Sequence, residues 1–424
     1  MLERVPPMTR PNAQIPLDPA ASAALLLRRI GFATLALALP LASLVSRRAA
    51  VVLAPIGVVL LVIAALIENP SEFGNNLKSS LSGLAGLTLL ALVAWAVLSL
   101  VWSPYTGSAS EKAGNLFLAV LLGFAGAAAL PERMRASNLN LAALGTGLAA
   151  LLALGLLLTE ALSPAGSRAA NEAGSVERGV SVVLIMSWPA LAWLLSRERG
   201  LTALGLALVV GLLALTRFED GEAAAMLFGA IAFGAVSADR RVGARLVGCV
   251  VAGLMLLAPL LPFLLAPVLR LSPNAFSTVA VGLDIWADII SSRPIQLITG
   301  HGLDTVLRGR VTGALPLEVP TTILFETWYE LGLVGAATAA LALYFAITAA
   351  GRMPGALAAG GVAAYATAFS LAALGFASFQ TWWLMTLTAV ALLFTAIARG
   401  QYRTERPVAP LSRRPKAPKL PAGQ

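Results

Sequence analysis

Twelve apolar stretches follow one another along this chain, at residues 30–46, 50–67, 83–101, 114–130, 139–159, 180–195, 201–216, 222–236, 244–268, 331–350, 356–376 and 381–398. A helix needs about 20 apolar residues to cross the hydrocarbon of a bilayer. Inside that hydrocarbon every backbone N–H and C=O must find a partner within the protein, so only helices and closed barrels span it. Barrel strands alternate in character over about ten residues, whereas these runs are continuous. The expected fold is therefore an all-α polytopic membrane protein with about 12 transmembrane helices. Charge usage agrees: charged residues make up 12% of the 424, against about 25% in a soluble domain. A cytosolic enzyme, a secreted domain and a flexible scaffold are excluded. The single cysteine, Cys249, rules out an internal disulfide and any multi-cysteine metal site.

Five zones follow. Residues 1–27 are polar and proline-rich, without the pattern of a cleavable signal, and are expected to form a cytoplasmic disordered tail. Residues 28–268 hold helices one to nine. Residues 269–330 form the one large loop, expected to be periplasmic and to lie before helix ten. Residues 331–398 hold helices ten to twelve, and 399–424 form a basic cytoplasmic tail. With the N-terminus inside, 20 of the 30 Lys and Arg residues fall on the cytoplasmic side, and the outer segments carry 10 basic and 13 acidic residues. That is the positive-inside bias of a membrane protein with both termini cytoplasmic. It accounts for the net charge of +9 without a nucleic-acid partner.

Long loops without their own regular structure are uncommon and often functional. In 269–330, Val279, Leu283, Trp286 and Ile290 recur at helical spacing with Asp284 and Asp288 on another face. This predicts an amphipathic helix along the membrane surface, ended by Arg293-Pro294. Gly300, Gly302 and Gly313 mark turns beyond it.

The outer charges gather in three loops. Arg168, Glu172, Glu177 and Arg178 lie between helices five and six. Arg217, Glu219, Asp220 and Glu222 lie between helices seven and eight. Arg270, Asp284, Asp288, Arg293, His301, Asp304, Arg308, Arg310 and Glu318 lie in the large loop, with Glu326 and Glu330 at its exit. The planar fork of arginine suits phosphate, and Arg168, Arg178, Arg217, Arg308 and Arg310 are candidates to hold a lipid-linked pyrophosphate. Taken singly, each of them is better explained as anchoring a helix end at the headgroups. Arg178 stands out because it opens an otherwise apolar helix, and an ionisable residue against a span is by default a functional candidate. Asp284 and Asp288 are better explained as the solvated face of their helix than as a catalytic pair. His301, the only histidine, sits in a Gly-His-Gly turn and is a candidate base. No nucleotide-binding, metal-ligand or Ser-His-Asp spacing is present, so neither a cofactor nor a metal is implied.

Several stretches together resemble the O-antigen ligase and polysaccharide polymerase family of bacterial inner membranes. These are Trp95-Ala96-Val97-Leu98-Ser99-Leu100-Val101-Trp102-Ser103-Pro104; Glu177-Arg178-Gly179-Val180 with Ser187-Trp188-Pro189; Leu283-Asp284-Ile285-Trp286, Arg293-Pro294 and Gly300-His301-Gly302-Leu303-Asp304; Trp328-Tyr329-Glu330-Leu331-Gly332-Leu333-Val334-Gly335; and Gln380-Thr381-Trp382-Trp383-Leu384. The resemblance spans about residues 90–390. It implies a metal-independent glycosyltransferase that ligates or polymerises surface polysaccharide such as that of lipopolysaccharide. The donor would be a glycan on a polyprenyl pyrophosphate, the acceptor a glycan or a lipid, and polysaccharide-assembly proteins would be partners. Arg178 would bind the pyrophosphate.

The chain departs from the family at three places. Thr321 stands where the family has its loop histidine, Gly282 where it has a loop arginine, and Glu177 where it has an asparagine. A catalytic member of this kind must therefore use Glu326 or His301 as its base. The departures leave a non-catalytic homologue open, serving as a subunit or regulator of polysaccharide assembly. The helix count alone leaves a secondary transporter or permease open.

Overall fold

The computed structural model describes residues 19–132, 134–162, 170–217, 221–270, 273–376 and 379–400. The described residues are helical throughout, with no strand among them. Helices long and apolar enough to cross a membrane are α1 (Pro19–Ser43), α2 (Ala49–Glu68), α4 (Leu84–Val101), α5 (Thr106–Ala129), α6 (Ala136–Leu162), α7 (Ala170–Ser196), α10 (Arg240–Leu269), α14 (Ile323–Ala350), α15 (Ala356–Ala373) and α16 (Thr381–Gly400), ten among the described residues. Two more, α8 (Gly200–Leu215) and α9 (Glu222–Ala238), are apolar but shorter, at 16 and 17 residues. All twelve apolar stretches are thus helical, and the protein is a multi-pass membrane protein. The remaining helices are α3 (Pro70–Ser82), α11 (Pro273–Ser292), α12 (Gln296–Thr299) and α13 (Thr305–Thr312).

The outer surface behaves as a lipid-facing one. On α8, Leu201, Leu204, Leu208, Leu212 and Leu215 are exposed at helical spacing while Ala203, Leu206, Val210 and Leu213 are buried. A soluble helix places polar groups on its outward face; here that face is leucine. At the centre, α7 is the most enclosed span, followed by α15 and α16. Packing relies on small residues, as expected where lipid tails give no hydrophobic drive between helices. A Cβ on Gly229 of α9 would fall 2.7 Å from the Trp188 ring and 3.2 Å from the Ala363 carbonyl of α15. Trp188 Nε1 bonds Thr367 Oγ1 at 2.8 Å in the same place.

Helix ends gather in two sets. At one end, Arg28 pairs with Glu68, Arg399 bonds the Leu130 carbonyl, and Arg240 bonds the Met353 carbonyl. At the other, Lys112 pairs with Glu330, Arg217 with Glu177, and Ser103 bonds Leu303. Each pairing joins two segments that the charge bias assigns to one side.

Three expectations are corrected. The tail does not extend to residue 27, because α1 begins at Pro19 with an alanine-rich turn, a strong helix former with proline at its first position. Helix α3 was not foreseen, although its start signals are present: the Asn69 carboxamide oxygen accepts the Glu72 N–H at 3.2 Å, and Pro70 follows it. Helix ten begins at Ile323 rather than 331, capped by Thr322 Oγ1 on the Phe325 N–H at 3.2 Å. The 269–330 segment is therefore mostly helical. The amphipathic helix over 273–292 is present and ends before Arg293. Of the four apolar positions, Leu283 and Trp286 are buried, Ile290 is half-buried and Val279 is exposed. Trp286 meets Phe325 edge-on, centroids 5.3 Å apart.

Candidate functional site

Helix α14 is broken early in its course. Gly332 adopts φ 64° and ψ −161°, a conformation reserved for glycine. A Cβ there would lie 2.5 Å from Gly300 N and from the Ile298 carbonyl oxygen. The break frees three carbonyls, and each finds an outside donor. The His301 N–H donates to the Tyr329 carbonyl at 2.8 Å, the Gly302 N–H to that of Glu330 at 3.0 Å, and Trp95 Nε1 to that of Leu331 at 2.8 Å. Irregular backbone at membrane depth survives only when its polar groups are satisfied within the protein. Here the Gly-His-Gly turn and a tryptophan from α4 satisfy them.

The end of α4 and the turn after it close the same knot. Ser103 Oγ donates to the Leu303 carbonyl at 2.9 Å, and Ser99 Oγ accepts the Leu303 N–H at 3.2 Å. Gly302, at φ 96°, lies so close to Ser103 that a Cβ would sit 2.6 Å from its Cα. The Gly300–Asp304 turn, the nearby Trp328–Gly335 segment and the Trp95–Pro104 segment, about 200 residues earlier in sequence, therefore form one unit.

Lys112 of α5 reaches into this unit. Its ammonium lies 2.8 and 3.0 Å from the two carboxylate oxygens of Glu330, which is fully buried. Glu330 Oε1 also accepts the Val306 N–H at 3.3 Å. Glu326, one turn earlier, and Asp304 add to the negative field at Lys112. Lys112 is the residue that the sequence reading missed. The signal for it was an ionisable residue inside a span, concealed because α5 starts at Thr106, eight residues before the apolar stretch.

His301 packs flat on Tyr329, with ring centroids 3.9 Å apart and planes within 7°. Its Nδ1 is 3.0 Å from the Tyr329 carbonyl. A carbonyl only accepts, so this assignment puts the proton on Nδ1 and leaves the Nε2 lone pair free in the neutral ring. Burial holds the imidazole below its ordinary 6.5, the Arg293 charge lowers it further, and the Tyr329 carbonyl partly offsets both. The native state thus binds protons less readily than the unfolded chain at this residue. Stability is complete above about 6.5 and falls as pH drops through the window below it. Thermal unfolding of the purified protein across that range is expected to show this slope, and His301→Gln to flatten it. An unchanged slope in the variant would refute the assignment, since no second histidine can supply it.

A second cluster lies around Arg178 and Arg217. Arg178, half-buried at the start of the enclosed part of α7, sits over the ring of Trp382, 5.6 Å from its centroid. Among the described residues it forms no ion pair. Arg47, in the turn between α1 and α2, is close enough to repel it. That turn meets α7 closely: a Cβ on Gly179 would fall 2.6 Å from Leu44 Cα. Arg217 Nε is 3.3 Å from buried Glu222, and a terminal nitrogen is 3.5 Å from Glu177. Ser181 donates to the other Glu222 oxygen at 2.7 Å.

The connection between α15 and α16 joins the clusters. A Cβ on Gly375 would lie 3.5 Å from Thr321 Oγ1, and one on Gly221 would lie 3.3 Å from Leu374. The Lys112 ammonium is 5.4 Å from the Phe379 centroid, three residues before the Trp382 that carries Arg178. Trp382 in turn donates to Gln380 Oε1 at 2.7 Å.

Of the predicted site residues, Arg178 and Arg217 share one cluster through Glu177, and His301 and Glu326 share the other. Arg308 and Arg310 do not join them in direct contact. Arg308 Nε is 3.3 Å from Asp304 and a terminal nitrogen of Arg310 bonds the Leu317 carbonyl at 2.9 Å, both within their own segment. Arg168 lies outside the described residues. Asp284 is paired with Arg270 at 2.6 Å and Asp288 is exposed. At Gly282 a Cβ would meet the Glu318 carbonyl at 3.0 Å and the Pro320 ring at 3.3 Å, so a long side chain there must push the 318–320 backbone away. No protein-family model, curated protein or solved structure matches the chain.

Proposed function

We propose that the chain is an O-antigen ligase-like protein of the bacterial inner membrane, acting on a polyprenyl-pyrophosphate-linked glycan in surface polysaccharide assembly. On this reading α8 and α9 also cross the membrane, giving twelve crossings, both termini cytoplasmic, and the 269–330 segment periplasmic. The observation that carries it is the meeting of the five family-like segments at one end of the bundle: three at the broken α14, two at the Arg178–Trp382 pair.

The chemistry follows from the side chains. An acceptor hydroxyl attacks the anomeric carbon as its bond to the pyrophosphate oxygen breaks. The pyrophosphate leaves with the electron pair. Arg178 is suited to that anion because its guanidinium lies over the Trp382 ring, which takes up no N–H group and leaves them for phosphate oxygens. The hydroxyl proton goes to His301 Nε2 or to the Glu326 carboxylate. Glu330 is unsuited, being buried and committed to Lys112.

The test is glycan transfer in membranes from a deletion strain complemented with variants. Arg178→Ala is expected to lower transfer by about 100-fold, the scale for removing one donor to developing transition-state charge. Normal surface polysaccharide after deletion, or full activity of Arg178→Ala, sinks the reading. One observation favours a second reading, a non-catalytic homologue: Thr321, which cannot act as a base near neutral pH, is the residue packed against Gly375 where the family histidine would stand. If Arg178→Ala abolishes polysaccharide output while Glu326→Gln and His301→Ala retain it, that reading is the better one.

A further inference from the structure

At the opposite end of the bundle a cavity of about 300 Å³ opens between α10 and the end of α14, lined by Arg240, Arg241, Arg245 and Arg352 together with Thr348 and Gly351. It is separate from the site above. Helix α9 starts at Glu222 beside that site and ends next to Asp239, a rise of about 25 Å for its length.

Four arginines around one cavity repel each other unless something neutralises them. Among the described residues no carboxylate lies within ion-pair distance of any of the four. The nearest acid in sequence, Asp239, lies in the field of Arg240 and Arg241 but forms no ion pair with either. Its Oδ1 accepts the Arg241 and Val242 N–H groups at 2.8 and 3.0 Å, capping α10. The cavity walls are also fixed. Arg240 bonds the Met353 carbonyl at 3.3 Å, and Gly351 sits so near α10 that a Cβ would fall 2.3 Å from the Ala244 Cβ. The backbone of the concavity is therefore fixed by helix packing, while its four arginine side chains are exposed and able to turn toward a ligand. Its volume lies at the small end of ligand sites, and arginine forks match phosphate oxygens in pairs.

We infer that this cavity is a binding site for a phosphate-bearing anion, distinct from the pyrophosphate site proposed above and independent of it. Two sources of that chemistry exist: the headgroup of an acidic phospholipid, or a soluble phosphate compound. The surface below the arginines favours the lipid. Val242, Leu246, Val250 and Leu254 form an exposed apolar stripe running down α10 from the cavity, on which acyl chains can lie while the headgroup meets the arginines. Basic pockets between transmembrane helices bind acidic headgroups in this way.

The test uses the full chain, purified in detergent, with two probes. Retention of cardiolipin and of phosphatidylcholine is read by native mass spectrometry. Inorganic pyrophosphate is titrated in lipid-free detergent with the thermal transition as readout. Cardiolipin is expected to bind at least about 10-fold more tightly than phosphatidylcholine, by the arithmetic of a few charge-assisted bonds. The Arg241→Gln/Arg245→Gln double variant is expected to lose that preference, and Lys78→Gln, a basic residue outside the cavity, to keep it. An unaltered thermal transition in the double variant shows that it is folded. Saturable stabilisation by pyrophosphate that the double variant loses, without a lipid preference, keeps the phosphate site and assigns it to a soluble ligand. Binding of neither probe, or a cardiolipin preference and a pyrophosphate stabilisation that the double variant both retains in full, overturns the inference; pyrophosphate stabilisation left in the double variant belongs to the Arg178 site.

Discussion

Replacing Lys112 with alanine is expected to destabilise the protein by about 3–5 kcal/mol, the cost of stranding a buried charge. Glu330 is fully enclosed and takes both close contacts of its carboxylate from the Lys112 ammonium, with one backbone N–H as its remaining donor. Without Lys112 the carboxylate must ionise unpaired, take up a proton, or drag water into the break of α14. Glu330→Ala strands Lys112 in turn, but that side chain retains 16% exposure and has Glu326 and Asp304 in its field, so the loss is expected to be smaller. Paired replacement, Lys112→Met with Glu330→Leu, is expected to recover most of the stability, because two charges removed together leave nothing uncompensated. Thermal unfolding in detergent measures all three. A double variant no more stable than Lys112→Ala would refute the pairing argument. If the proposed transfer activity survives in a stable double variant, the pair is structural; if it is lost, the pair also shapes the site.

Gly332→Ala is expected to cost about 3 kcal/mol or more. Alanine pays backbone strain in a region open only to glycine, on the order of 1–3 kcal/mol, and its methyl meets Gly300 N and the Ile298 carbonyl at 2.5 Å, where nothing flexible can yield. Relief requires Gly300 to withdraw, which uncouples the His301 and Gly302 N–H groups from the Tyr329 and Glu330 carbonyls. The damage is therefore expected at the site as well as in the melting curve, with the stacking of His301 on Tyr329 lost. Gly211→Ala on α8 is the control. Its Cβ would meet nothing within 4 Å, so the substitution is expected to be neutral or to stabilise by about 0.5–1 kcal/mol through helix propensity. Equal melting temperatures for Gly332→Ala and Gly211→Ala would show that the break in α14 is not held by that glycine.

The two variants probe features with different legibility. The positive-φ turns at Gly300, Gly302 and Gly313 were readable, because glycines between periodic segments announce turns. Gly332 was not, because it lies inside an apolar run in which glycine is ordinary for a membrane helix. Arg178 was readable as an arginine opening an apolar stretch. Its stacking on Trp382 was not, and neither was the neutralisation of Glu330 by Lys112, since each joins helices remote in sequence. For Arg308 and Arg310 the residue type was legible in the sequence but the contacts were not. Residue type suggested phosphate ligands, and in the structure each also contacts its own segment, Arg308 at Asp304 and Arg310 at the Leu317 carbonyl.

The order of apolar helices, the amphipathic helix carrying Val279 to Ile290 and the separation of charges into two sets were determined by the sequence alone. Each is a local or additive property: runs of apolar residues must leave water, periodicity sets which face does so, and charge cannot stay in hydrocarbon. Which helices touch, where α14 breaks and which charges meet were decided only by the tertiary structure. Those outcomes depend on shape fit between small residues on different helices and on whether a freed carbonyl or a buried carboxylate can find a donor; for the Leu331 carbonyl and the Glu330 carboxylate the side-chain donor came from more than 200 residues away.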